Sequence, residues 1–207
     1  MFTNKSLAAR SNDFNSLIHN SQFTDAFGTA LSMDAGTLEA LMLLKAVRDC
    51  GGNVYVIGNG GSAAVASHIT TDFCNVAGLR SMTLHEPSVI TCFSNDFGYE
   101  HSYSIRLKKI ARQGDLLIAI SSSGQSKNIL NAVNSARETG AAVITLSGFS
   151  AQNPLRQRGD INFWIASDEY GLVEIGHLFT LHHWSDRIGV EWSDECWDSD
   201  ISQSNIA

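Results

Sequence analysis

The sequence predicts an α/β fold, a five-stranded parallel sheet with helices on both faces. Short apolar runs at 54–57, 81–84, 115–120, 142–146 and 161–166 alternate with longer stretches of helical composition, the pattern of repeated βαβ units. The third run is apolar without interruption, as a central strand covered on both faces must be. Two of the runs end in turns rich in glycine and serine, and ligands of such sheets lie beyond the carboxyl ends of the strands.

In chain order, residues 1–34 place Leu7, Phe14, Leu17, Ile18, Phe23 and Phe27 among polar residues, which predicts an N-terminal helical assembly arm lying on something else. A helix over 37–47 carries Leu38, Leu41, Met42, Leu43, Leu44 and Val47 on nearly every face, so it needs burial by the sheet, by another subunit or by both. Gly51 and Gly52 end it. The 54–57 strand leads through a glycine turn into a helix, and 81–84 is a short second strand. Glu86-Pro87-Ser88 opens another helical stretch that Asn95-Asp96-Phe97-Gly98-Tyr99-Glu100 interrupts. After the 115–120 strand a helix over 127–140 turns Ile129, Leu130, Ala132 and Val133 inward and stops at Gly140. The last helix starts near Glu169. Residues 35–190 thus form one domain, and 191–207 read as a solvated acidic tail in which Trp192 and Trp197 suggest some docking.

Length and charge narrow the function classes. A chain of 207 residues builds one large domain. Fourteen Lys and Arg against 21 Asp and Glu give a net charge of −7 with no basic cluster, which argues against nucleic acid as a direct ligand. Cys50, Cys74, Cys92 and Cys196 are scattered without a Cys-x-x-Cys pair, so neither a disulfide framework nor a cysteine zinc site is expected. No segment has the length and apolarity of a membrane span. A soluble, cytoplasmic protein is the expectation.

Chemistry concentrates in the two turns and the helices beside them. In Gly58-Asn59-Gly60-Gly61-Ser62, glycines let the backbone approach an anion while the first turn of the next helix supplies free N–H donors. Ser121-Ser122-Ser123-Gly124-Gln125-Ser126 repeats the arrangement at the neighbouring strand. The plain alternative is that these serines only cap helices. His68 and Asp72, four apart, share a helix face and could grip one metal or one substrate. Glu174 and His182, eight apart, share a broad face of the last helix, with His177 on the other side of Glu174.

Taken in order, Gly58-Asn59-Gly60-Gly61-Ser62-Ala63-Ala64 with His68, Asn95-Asp96-Phe97-Gly98, Gly114-Asp115-Leu116-Leu117, Ile120 through Ser126, and Glu174-x-x-His177 with His182 resemble the SIS (sugar isomerase) family. The resemblance spans roughly residues 35–190 and is nearest to the phosphoheptose isomerase branch. It implies a flavodoxin-like SIS fold and a homotetramer with active sites between subunits. The implied reaction converts sedoheptulose 7-phosphate to D-glycero-D-manno-heptose 7-phosphate for surface polysaccharide. By position, Ser62, Ser121, Ser123 and Ser126 would hold the phosphate, with Ser122 in the same loop, and Asn59, Gly60 and Asp96 would meet the sugar. His68 matches the metal and substrate histidine, and His182 the catalytic and metal-binding one.

Two positions depart from that pattern. Asp72 stands where the branch has its catalytic glutamate, and Glu174 where it usually has glutamine. Isomerisation through an enediol needs a base, an acid and stabilisation of the developing oxyanion. Asp72 and His182 would share the proton work, with Asp72 one methylene short in reach. His68, Asp72, Glu174 and His182 would make a tetrahedral zinc set. Two other readings stand beside this one: an isomerase for another phosphosugar, and a non-catalytic SIS protein similar to those that associate with a replication initiator.

Overall fold

The computed structural model describes residues 4–200, with side chains as far as Val190. Helix α1 (Leu7–His19) starts at Ser6, whose Oγ accepts the Ala9 N–H. Strands β1 (Gln22–Asp25) and β2 (Ala30–Leu31) follow, joined by a turn that Asp25 closes by accepting the N–H groups of Phe27 and Thr29. Helix α2 (Met33–Asp49) is capped by Ser32. Then come β3 (Asn53–Ile57), α3 (Gly61–Asn75), β4 (Arg80–Thr83), α4 (Pro87–Phe97), a single 3₁₀ turn at Tyr99–His101, α5 (Ser104–Ile110) and β5 (Leu116–Ser121). The chain continues as α6 (Lys127–Glu138), β6 (Ala142–Ser147), a 3₁₀ turn at Pro154–Gln157, β7 (Ile161–Trp164) and α7 (Tyr170–Asp200). No described helix is long and apolar enough to cross a membrane.

All five strands expected from the sequence form and run parallel, in the order β4-β3-β5-β6-β7. The sheet nevertheless has seven strands, because β1 pairs antiparallel with β7 and β2 with β1. The N-terminal arm is therefore one helix followed by a sheet extension, not helices alone. Strands of four and two residues are too short to display the alternation that identifies a half-buried strand.

Side chains alternate across the sheet. Val54 and Val56 face a core shared with α2, α3 and α7, whereas Tyr55 and Ile57 face one shared with α5 and α6. Helix α2 buries Ala40, Leu41, Leu44 and Val47 but leaves Leu38 and Met42 each 56% exposed, so only part of its apolar surface is spent on the sheet. Helix α7 extends to Asp200, ten residues into the segment expected as a solvated tail. The rest of that tail, and the side chains of Trp192 and Trp197, lie outside the described residues.

The arm is integral to the core through Phe23. Its ring lies 4.7 Å from that of Phe163 and 6.4 Å from Trp184, over Gly36 of α2. Phe23→Ala should cost about 3–5 kcal/mol of folding free energy, read as a fall in denaturation midpoint. Phe27→Ala, at a side chain 94% exposed, should change stability by less than about 0.5 kcal/mol. Equal effects would show that β1 is not part of the cooperative core.

Candidate active site

The chain leaves β3 for β4 on one side and then returns to β5 on the other, so the strand order reverses between β3 and β5. A crevice opens at such a reversal. Here it is a cavity of about 370 Å³ lined by Asn59, Gly60, Gly61, Ser62, Ser121, Ser122, Ser123, Ser126, Tyr170 and Glu174. A larger cavity of about 550 Å³, between α5 and α6, contains none of the candidate catalytic, substrate-binding or metal residues.

Two helices begin in the smaller cavity without a side-chain cap. Helix α3 starts from Gly60 (φ +55°), which has no side chain to offer, and α6 starts from Ser126, whose hydroxyl accepts no helix N–H but accepts from Ser121 Oγ at 3.3 Å. Neither helix has a side-chain N-cap, so the first two N–H groups of each remain available to an anion, while the Ile129 N–H is met by Asn128 Oδ1 and the Ser126 carbonyl. The Ser122 hydroxyl is buried with no partner among the described residues, a polar group that a bound ligand could satisfy. Among the described residues, no cationic side chain lines the cavity.

The sugar-side residues are arranged less evenly. Asn59 and the buried Asn128 exchange amide hydrogen bonds, each 2.9 Å long, and the Tyr99 hydroxyl donates to Asn59 Oδ1 at 2.9 Å. Asp96 is exposed near the end of α4, accepts from Asn95 Nδ2 at 2.9 Å, and does not line the cavity. The segment 95–100 reaches the glycine turn through Tyr99 instead. Tyr99, Asn128 and Tyr170 were not singled out in the sequence. Tyrosines and an asparagine in helices carry no signal by themselves, although Asn128 lies two residues past the second serine turn.

Helices α3 and α7 pack side by side in the same direction, Gly61 facing Glu174, Asp72 facing His182, and Val76 facing Gly189. This pairing brings His68, Asp72 and His182 together. Asp72 Oδ2 lies 3.0 Å from His182 Nδ1 and 3.7 Å from His68 Nε2, and the two imidazole Nε2 atoms are 3.1 Å apart. The one-methylene-shorter side chain of Asp72 thus reaches its histidine. With Nδ1–H given to the carboxylate, His182 Nε2 faces His68 as an acceptor, and one proton is shared between the rings.

Glu174 is placed elsewhere. The group of potential metal donors comprises His68, Asp72 and His182, whereas the Glu174 carboxylate lies against Gly61 in the serine cavity, where any side chain at residue 61 would collide with it. The four-donor set expected from the sequence becomes three donors, with the carboxylate at the anion site. Burial raises the Glu174 pKa above the usual carboxylate value. His177 lies fully buried, donates from Nε2 to the Ser147 carbonyl at 3.1 Å, and is pushed down to about 4 by burial. It is a neutral structural histidine that fastens α7 to the end of β6.

The sequence pattern of the SIS domain family matches residues 26–148. The chain belongs to the SIS domain family. It is 33% identical to the phosphoheptose isomerase of Campylobacter concisus over 156 residues, 71% of this chain and 81% of that one. It is 40% identical to the phosphoheptose isomerase of Proteus mirabilis over 115 residues, 53% of this chain and 60% of that one. Among solved structures, it is similar to a phosphoheptose isomerase from Neisseria gonorrhoeae with a TM-score of 0.74 and 25% identity, covering 87% of this chain and 94% of that one. One from Francisella tularensis gives the same score and identity, covering 89% and 98%. The SIS domain thus accounts for both glycine–serine turns at once.

The Glu174 carboxyl, with its pKa raised on folding, is penalised only in its charged form. The penalty is absent below the unfolded carboxylate pKa, grows as pH rises through the folded value, and is complete above it. Glu174→Gln should therefore stabilise the fold and tighten binding of inorganic phosphate at pH 8, and both gains should shrink by pH 4–5. Calorimetric titration of variant and parent at the two pH values checks this. A pH-independent gain would exclude the carboxylate charge as its source.

Proposed function

We propose that this protein is an aldose–ketose isomerase that converts sedoheptulose 7-phosphate to D-glycero-D-manno-heptose 7-phosphate. The observation that carries this reading is that one helix pair, α3 and α7, joins an anion cradle at its N-terminal end to the Asp72–His182–His68 chain further along, six residues from Ser62 to His68 on α3 and eight from Glu174 to His182 on α7. Six to eight residues of helix span about 9–12 Å, a separation that an extended sugar with a terminal phosphate bridges. The relatives named phosphoheptose isomerase support the same substrate.

In this reading Ser62, Ser121, Ser123 and Ser126 hold the phosphate and Ser122 completes the loop. Asn59 and Gly60 meet the sugar. Asp72 and His182 share removal of the proton next to the carbonyl and its return to the adjoining carbon, which general acid–base groups accelerate by about 10²–10⁴-fold. Asp72 holds the His182 ring in one orientation and balances the charge it gains, and His68 receives or supplies the proton at Nε2. Two imidazoles and a carboxylate are also a donor set that suits zinc, and zinc there, one per subunit, would polarise the sugar's carbonyl and hydroxyl oxygens.

We further propose a homotetramer with sites between subunits, acting in the cytoplasm in heptose synthesis for lipopolysaccharide or related surface polysaccharide. Leu38 and Met42 on α2, and Ile175 and Phe179 on α7, are each more than half exposed and give these helices an apolar outer surface, which supports association through them. The assembled acid–base chain disfavours a purely protein-binding role, which has no use for it.

Turnover of sedoheptulose 7-phosphate should be detected with the purified protein, and the rate after chelation and after zinc is restored assigns the metal's role. His182→Ala should lower turnover by at least about 10²-fold while leaving the thermal transition in place. Binding of the phosphosugar without turnover in either metal state would overturn the isomerase reading for this substrate.

A further inference from the structure

The cavity walls are chemically lopsided. Five serines, an asparagine, two glycines and a carboxylate account for all its lining residues except Tyr170. That ring is 59% exposed, and its hydroxyl has no hydrogen-bond partner among the described residues. A phosphorylated sugar is lopsided in a matching way, with an anion at one end and a carbon chain bearing C–H groups at the other. The serines and helix ends satisfy the first half. Among the described lining residues, only Tyr170 offers an extended apolar face to the second.

The structure invests in holding this ring. Phe149 packs edge-on against Tyr170, with centroids 4.8 Å apart and planes at 69°. Phe149 is the single described non-glycine residue with positive φ, at +56°, a conformation that bulky side chains rarely adopt. Such strain persists only where surrounding contacts impose it. Here the Phe149 N–H donates to the Ser167 carbonyl at 2.8 Å, and the ring rests on the core beneath α7. On the other flank, Glu169 pairs with both terminal nitrogens of Arg10, at 3.2 and 2.7 Å, which ties the start of α7 to α1.

We propose that Tyr170 is a specificity-determining residue that lays its ring against the carbon chain of a phosphosugar, with Phe149 as its positioning residue. The inference rests on the phosphosugar reading of this cavity and extends it to the part of the ligand that the serines do not touch. The Tyr170 hydroxyl, at the rim, is free to exchange a hydrogen bond with a sugar hydroxyl. Discrimination between sugars of different length then arises at this wall, and the serine cradle binds their common phosphate alike.

The test compares binding of inorganic phosphate with that of five-, six- and seven-carbon phosphosugars, including sedoheptulose 7-phosphate, by calorimetry. Tyr170→Ala should leave inorganic phosphate binding within twofold of the parent and weaken the tightest-binding phosphosugar about tenfold. Tyr170→Phe should recover most of that loss. Phe149→Gly, which accepts the backbone conformation but removes the support, should also weaken phosphosugar binding, and should add nothing in a Tyr170→Ala background. Equal weakening of phosphate and phosphosugar in Tyr170→Ala, no change in either, or a parent protein that binds no phosphosugar more tightly than phosphate would each overturn the proposal. Loss of turnover with this binding pattern intact would overturn only the isomerase reading.

Discussion

Two helix N-termini that lack side-chain caps, set side by side at the carboxyl ends of adjacent parallel strands, are the constraint on which the rest of this molecule depends. A buried N–H without a partner costs about 1–3 kcal/mol, so most helices spend a serine or aspartate to avoid it. Here Gly60 has nothing to spend and Ser126 turns its hydroxyl toward Ser121. The sheet order reverses at this point, so both exposed helix ends face one cavity. An anion of phosphate size would satisfy the donors of both at once, and among the described residues no lysine or arginine lines the cavity.

The second half of the site follows from the direction in which α3 and α7 run. Because they are parallel, a residue near the start of one meets a residue near the start of the other, and the same holds further along. The anion site and the acid–base chain are therefore two levels of one helix interface, and displacement of either helix would disturb both. The helices approach closely enough for Asp72 Oδ2 to lie 3.0 Å from His182 Nδ1. His177 contributes by fixing α7 to the Ser147 carbonyl at the end of β6.

Legibility in the sequence tracked how far each feature depends on local composition. The five parallel strands and the serine turns were legible because apolar runs ending in glycine and serine are local signals. Strands β1 and β2 were not, since Phe23 reads like any spaced apolar residue and its strand exists only because β7 offers a free edge. The expectation of an acidic tail rested on charge, but helix continuation depends on backbone hydrogen bonds, which charged residues form as readily as apolar ones. Within the site, the joining of His68 and Asp72 with His182 required the α3–α7 pairing, which no spacing within either helix reveals. Tyr170 and Tyr99 escaped notice because their relevance is purely positional. Asp96 was singled out for its motif, yet the motif delivers Tyr99 to the cavity turn and leaves the carboxylate outside.

The amide of Asn59 shows how tightly the turn is preset. The Ile129 N–H can only donate, and it points at the Asn128 side chain at 3.0 Å, which fixes that atom as Oδ1. Asn128 Nδ2 must then donate to Asn59 Oδ1, and Asn59 Nδ2 must donate back. The Tyr99 hydroxyl takes the second lone pair of Asn59 Oδ1. Both acceptor positions of Asn59 and one of its two donors are consumed. What remains for a ligand is a single N–H in a fixed direction. Asn59 can therefore meet a sugar only as a donor, and it favours an oxygen that carries or gains negative charge over a hydroxyl that must itself donate.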